Sequence, residues 1–291
     1  MEVNNIDWNK LWMDAQQKNI DSGHGGECWT MWQEKDAAKN YFSSFIASPS
    51  VKKRVAALAR MTGRDSRVLD IGAGPGNIAI PLSRKVAHIS AVEPAAGMAE
   101  VFGDQIRIEN AHNIRLVQKR WEDVDVERDL EAPYDLTFAS FSLGMLDLRA
   151  SIEKMLCVST NVIVLYWHVG LQAFDEDAIE LSPLLYSKKH FPVPDSNVIF
   201  NLLYSMQIYP DVEIERTNVR LVYKSFDEVL EDYARRYGAE TDEQRRLLAG
   251  YLHTRFIPFE KGSVIRFTHR VSMRFSWQTR LMTAQKIRFD Q

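Results

Sequence analysis

Cysteine is nearly absent from this chain: Cys28 and Cys157 stand far apart in 291 residues. No disulfide framework can be built from them, so a small stapled scaffold is excluded. No apolar run is long enough to cross a bilayer, and the first residues are polar without a signal-peptide pattern, which gives a cytoplasmic protein as the expectation. The formal charge of −3 exerts no global pull toward nucleic acid or membrane. The seven histidines and the cysteines show no ligand spacing, so no metal is expected. Internal repeats and low-complexity tracts are also missing. What remains is an ordinary globular composition, 45% hydrophobic, that fits one large α/β domain with additions.

The chain is organised around Arg67–Gly76. Val68, Leu69 and Ile71 read as a short strand of a parallel sheet covered on both faces. Gly72, Gly74 and Gly76 then make a turn whose backbone a ligand can approach closely, and a helix is predicted to start near residues 75–77, burying Ile78, Ile80 and Leu82. Strand, glycine turn and helix N-terminus are the first half of a nucleotide-binding unit. The dinucleotide fingerprint G-x-G-x-x-G does not fit, because Asn77 occupies the place of its last glycine. Asp70 at the strand end would repel a pyrophosphate. Both departures suit a ligand without a phosphate and with a positive charge near the loop.

At this point Val68-Leu69-Asp70-Ile71-Gly72-Ala73-Gly74-Pro75-Gly76 resembles the first motif of the class I S-adenosylmethionine-dependent methyltransferases, without a gap. The resemblance implies that Asp70 and the loop (Gly72, Ala73, Gly74, Gly76 and Asn77) hold the amino-acid end of S-adenosylmethionine. A second apolar strand, residues 88–92, ends at Glu93 and Pro94; a carboxylate there accepts ribose hydroxyls, about 20 residues after the glycines. Met98 would lie along the adenine or in helix core. After a third strand, residues 114–119, the resemblance implies an acid on the adenine amino group, Glu122 first and Asp123 second, with Trp121 against the base. A fourth strand follows at residues 134–140, and the resemblance implies that Ala139, Ser140, Phe141 and Leu143 lie beneath the methyl group. The fifth, residues 161–166, ends in Tyr166-Trp167-His168.

The implied fold is a doubly wound, mostly parallel seven-stranded sheet with an antiparallel last strand. An N-terminal helical segment, residues 1–66, precedes the Rossmann-like domain, residues 67–291. Trp8, Leu11 and Trp12, then Trp29 and Trp32, then Tyr41, Phe42 and Phe45 give that segment two readings: packing onto the sheet, or a lid over the site. Helical additions are expected at about 174–194 and 225–258. Ser225 and Thr241 open capping boxes in the second, and Gly238 ends its first helix. The last strand, residues 266–277, alternates strictly, giving an apolar face with His269 in the core and a polar face with Arg266, Arg270 and Arg274. Arg280, Lys286 and Arg288 extend the basic stripe, but no stacking aromatics are interleaved, so nucleic acid is disfavoured as a partner.

Methyl transfer from a sulfonium needs alignment more than machinery, and a base only when the nucleophile holds a proton. Tyr166, His168 and His24 are the side chains from which such a base would come. The expected activity is in-line methyl transfer to a small molecule or a protein side chain. The alternatives are a cofactor-binding regulatory protein without turnover and an RNA methyltransferase; a nucleotide-dependent oxidoreductase ranks below them because of Asn77. Oligomeric state and acceptor atom are not specified by the sequence.

Overall fold

A computed structural model describes residues 6–22 and 27–279. In chain order the elements are α1 (Trp8–Ser22), a 3-10 turn (Cys28–Trp32), α2 (Lys35–Phe45), α3 (Pro49–Ala59), β1 (Arg67–Ile71), α4 (Ala79–Ser83), β2 (His88–Val92), α5 (Ala96–Ile108), β3 (Ile114–Val117), a second 3-10 turn (Trp121–Asp123) and α6 (Val126–Asp129). They continue with β4 (Tyr134–Ser140), α7 (Leu148–Val158), β5 (Ser159–His168), α8 (Ala173–Tyr186), α9 (Ser196–Ser205), β6 (Asp211–Tyr223), α10 (Phe226–Tyr237), α11 (Asp242–Arg255), β7 (Ile257–Pro258) and β8 (Val264–Gln278).

The strands order as β3-β2-β1-β4-β5-β8-β6. β1 to β5 are parallel, and β8 runs antiparallel between β5 and β6. This is the expected mostly parallel sheet; the two-residue β7, paired to the start of β8, is an addition. Strand order reverses between β1 and β4, and an open α/β sheet binds its ligand in the crevice beyond the strand ends at that switch point.

Each sheet face has its own core. Trp12 of α1, Leu148, Ile152 and Met155 of α7, and Ile199, Leu202 and Leu203 of α9 cover one face. Val51, Val55 and Leu58 of α3, Ile80 and Leu82 of α4, and Phe102 of α5 cover the other. The helix after the glycine turn starts at Ala79, later than the sequence predicts, and is one short turn. Its apolar residues are buried as expected.

The two insertions meet. α8, α10 and α11 pack together over the start of β8, with Leu181, Val229, Tyr233, Leu248 and Leu252 inside. Thr241 and Gln244 form the expected capping box, and Gly238 closes α10 in the left-handed conformation. Ser225 caps α10 by accepting from Glu228 N, but the Glu228 carboxylate accepts from Lys224 N instead of Ser225 N, so the expected box is not closed there. This cap changes the reading of β8. Arg266, assigned to a solvent-facing polar stripe, is 6% exposed beneath it, while Phe267 is 69% exposed. His269, assigned to the core, is exposed. Farther along, β5 and β6 flank the strand and residues 275–277 are all buried, so the strict alternation of the sequence does not become one wet and one dry face.

Candidate active site

Three glycines of one loop serve different ends. All have positive φ, at 69°, 57° and 88° for Gly72, Gly74 and Gly76. A Cβ on Gly72 would strike Ser142, and one on Gly76 would strike the ring of Phe102, so packing excludes side chains there. A Cβ on Gly74 would meet nothing within 4 Å. Gly74 is where the loop backbone faces open space.

Asp70 ends β1 beneath this loop. It is 1% exposed, and neither carboxylate oxygen has a hydrogen-bond partner. Burial, helped by the charge of Glu93, raises its pKa well above the ordinary carboxylate range. An isolated buried carboxylate is expensive, and a cation above it would remove the penalty. Glu93, one strand over, is also buried, but its Oε2 accepts from Gly74 N at 2.7 Å and its Oε1 from Ala95 N at 2.8 Å. Burial lifts it to about 7 against these bonds, which act to lower it. An ionised carboxylate offers about four lone-pair sites, so hydroxyl donors can still reach it. The acid pair and the open backbone at Gly74 therefore fit a ligand with a cationic end and a diol.

The sequence-predicted residues are brought together unevenly. Pro94 and Met98 lie where β2 passes into α5, and Met98 packs with Val101, Trp32 and Phe42. Glu122 is exposed on the 3-10 turn after β3, whereas Asp123 is engaged by Arg120 at 2.7 and 3.0 Å. Trp121 is not placed to stack on a base. It is 3% exposed, its indole N–H donates to Ser151 O, and Lys154 Nζ stands over its ring. Packing against α7 decides its direction, and a one-turn helix after a strand gives no sequence signal of that. Ala139 and Ser140 end β4 beside Ile71. Phe141 follows with φ of 60°, a strained value for a bulky residue, and donates its N–H to Tyr166 O. Leu143 is buried in the core.

His168 packs against Phe141 with ring centroids 4.7 Å apart and the planes tilted by 30°. Burial, then the cations Arg270 and Arg54, push its pKa down to about 4. It stays neutral at physiological pH and is a weak base. Tyr166 is shifted the other way, raised by burial, so its hydroxyl keeps its proton. His24 lies outside the described residues, as do Arg280, Lys286 and Arg288. Sequence reading missed Arg54 of α3, which lies 5.0 Å from the Phe141 centroid, and Tyr41 of α2, whose pKa burial raises while Arg54 and Arg270 act to lower it. No local motif marks either residue.

The N-terminal segment divides in two. α1 is core: Trp12 is fully buried, donates to Met145 O and lies 5.7 Å from Trp167. The 3-10 turn and α2 instead lie over α5 and the glycine loop. Asn77 Nδ2 donates to Phe42 O, Ala96 N donates to Gln33, and Glu27 reaches Arg120 beyond β3. Gly97 touches the Gln33–Glu34 backbone so closely that a Cβ would not fit.

Residues 68–160 match the model of the methyltransferase domain family. The chain therefore carries a methyltransferase domain on a Rossmann-like fold similar to that of the class I enzymes, with S-adenosylmethionine as cofactor. It is 24% identical over 253 residues to an uncharacterized protein of Haemophilus influenzae, covering 86% of this chain and 90% of that one. Among solved structures it resembles a putative methyltransferase of Bacillus halodurans (TM-score 0.52, 14% identity, 78% of this chain and 97% of the other). It also resembles the YcgJ protein of Bacillus subtilis (TM-score 0.51, 17% identity, 76% and 97%). At those identities the two structures speak for the fold alone.

Proposed function

We propose that this enzyme methylates a small molecule, with Asp70 and the backbone around Gly74 holding the amino-acid end of the cofactor. Glu93, beside Pro94, takes the ribose; Met98 and Glu122 border the adenine; Ala139, Ser140 and Phe141 floor the space under the methyl group. The observation that carries this reading is Asp70, buried with both oxygens unpartnered at the switch point of the sheet. When bound, the cofactor supplies an activated methyl on sulfur. The chain's residues align the acceptor behind it and exclude water, with α2 and its preceding turn as the roof. Tyr166 keeps its proton and His168 is a poor acceptor of one, so both serve as walls of the acceptor space rather than as bases. An acceptor that arrives with a free lone pair fits such a site.

Two measurements test the proposal. S-adenosylhomocysteine should raise the melting temperature while NAD does not, since a ligand that binds only the folded state stabilises it by mass action. Incubation with S-adenosylmethionine should release S-adenosylhomocysteine when the deproteinised, size-filtered fraction of a cell extract is added. Release only with the protein or RNA fraction would replace the small-molecule reading.

A further inference from the structure

On the acceptor side of the switch point the structure gathers two arginines without a carboxylate partner. Arg54, from α3, is half-buried and places its guanidinium 5.0 Å from the Phe141 centroid and 6.0 Å from that of Tyr166. Its Nε is buried and has no hydrogen-bond partner. Arg270, from β8, is half-buried over the ring of Phe45, 6.0 Å away. Neither forms a salt bridge or a hydrogen bond among the described residues. The neighbouring carboxylates are committed elsewhere: Glu215 pairs with Lys53 at 3.1 Å, and Glu213 with Arg274 at 2.8 Å. Both arginines nevertheless act on the same groups. Each lowers the proton affinity of His168 and of Tyr41, and the charge of Arg270 adds to burial in lowering that of Arg54.

Burying part of a guanidinium without an anion is unfavourable, and two other arginines on β8 avoid it. Arg274 has Glu213, and Arg266 has Asp177. Two like charges converging on an aromatic floor of Phe141, Tyr166 and His168 leave a position that an anion would stabilise through charge-assisted, planar hydrogen bonds. The position of Arg270 separates this anion from the cofactor's own carboxylate. β8 lies three strands from β1, across β4 and β5, which at the strand spacing is roughly 14 Å from the Asp70 end of the crevice.

We infer that the methyl acceptor carries an anionic group, a carboxylate or a phosphate, held between Arg54 and Arg270, with its apolar or aromatic body on Phe141 and His168. This rests on the acceptor-side reading of the site above, while the arginine pair itself is independent of the cofactor assignment.

The test is calorimetric titration of the full chain with benzoate, phenyl phosphate and benzamide, each in the presence and absence of S-adenosylhomocysteine. Benzoate or phenyl phosphate should bind, and benzamide should bind at least about tenfold more weakly. Whichever anion binds tighter identifies the source of the charge. R54Q and R270Q should each weaken anion binding about tenfold, R54K should retain part of it, and S-adenosylhomocysteine affinity should not change. Melting curves of the variants exclude unfolding, and R270Q, on the outer part of β8, provides a second reading if R54Q folds poorly. Equal binding of benzamide and benzoate, or unchanged anion affinity in both variants, would overturn the inference. So would R54Q losing S-adenosylhomocysteine affinity with anion affinity intact, since Arg54 would then hold the cofactor's carboxylate. Arginine-dependent anion binding without any S-adenosylhomocysteine binding would support the anion site and sink the cofactor reading instead.

Discussion

Among the described residues three aspartates, Asp70, Asp175 and Asp177, are almost fully buried, and two of them have opposite surroundings. Asp177, in the helical cap, receives Arg266 at 2.8 Å, Tyr251 at 2.6 Å and Tyr233 at 3.5 Å. Asp70, in the crevice, receives nothing. A buried acid surrounded by donors from α10, α11 and β8 stitches an insertion to the sheet. A buried acid with no donor is what the proposed cofactor site needs, since a bound cation would supply the missing partner. The same residue type at the same burial thus has a structural role in one place and a proposed binding role in the other, and the difference is visible only in the partners.

The largest effect is expected from breaking the satisfied acid. Asp177→Ala strands a buried guanidinium and two tyrosine hydroxyls and should cost about 3–5 kcal/mol of folding stability. Chemical denaturation measures it. Replacing Asp177 and Arg266 together with leucine and methionine should recover most of the loss, because neither partner is then left unpaired. If the single variant is as stable as the parent, the cap is not held by this network.

Asp70→Asn should behave in the reverse manner. It removes a buried charge that has no partner, so the apo protein should be no less stable. Affinity for S-adenosylhomocysteine should fall by about 3 kcal/mol, or more than a hundredfold, as a charge-assisted contact is lost. Titration calorimetry beside a melting curve decides it. A destabilised apo protein with normal affinity would put Asp70 in the same class as Asp177.

Why the sequence announces one aspartate and not the other follows from locality. Asp70 sits inside a contiguous strand–glycine–turn pattern, and Glu93 ends the next apolar run, so both are readable from spacing. β2 and β4 fall on their expected residues because apolar stretches are bounded there by turn formers. Asp177 acquires its partners from elements that follow it by more than fifty residues, and no local pattern encodes that. Trp121 and His269 fail for the same reason: α7 draws the first inward, and the second lies on a stretch of β8 whose other face the cap occupies. Arg54 and Arg270 come from a helix before the sheet and a strand at its far side, brought together only by the topology.

Glu93 is intermediate, with two backbone donors yet a pKa raised to about 7 by burial. Its folded-state pKa lies above the unfolded one, so between about pH 4.5 and 7 the folded apo protein holds more protons than the unfolded chain. Stability of the apo protein should fall as pH rises through that window and level off above it. Cofactor binding, which uses the ionised form, should strengthen over the same window. Glu93→Gln should flatten both trends and weaken S-adenosylhomocysteine binding by about 1.5–3 kcal/mol. Because a glutamine has one oxygen, either Gly74 N or Ala95 N loses its acceptor, so a modest loss of apo stability is expected as well. Unchanged pH profiles in the variant would remove Glu93 from the ribose position.

Asn77 is the half-satisfied case and carries the smallest expected effect. Its Nδ2 donates to Phe42 O at 3.1 Å, which ties α2 to the glycine loop, while its buried Oδ1 has no partner. Asn77→Ala gives up one hydrogen bond but also relieves the orphaned acceptor, so the two contributions, each about 1 kcal/mol, should nearly cancel. Asn77→Asp keeps the shape and turns an oxygen toward the Phe42 carbonyl, with a buried charge and no donor. That variant should be the less stable of the two, and the amides of α2 should exchange faster in it, because the roof loses its attachment. Hydrogen exchange of residues 35–45 in both variants makes the comparison. Equal protection in alanine and aspartate variants would mean that α2 is held by its packing on α5 alone, and that Asn77 stands in the last glycine position for a reason unrelated to the roof.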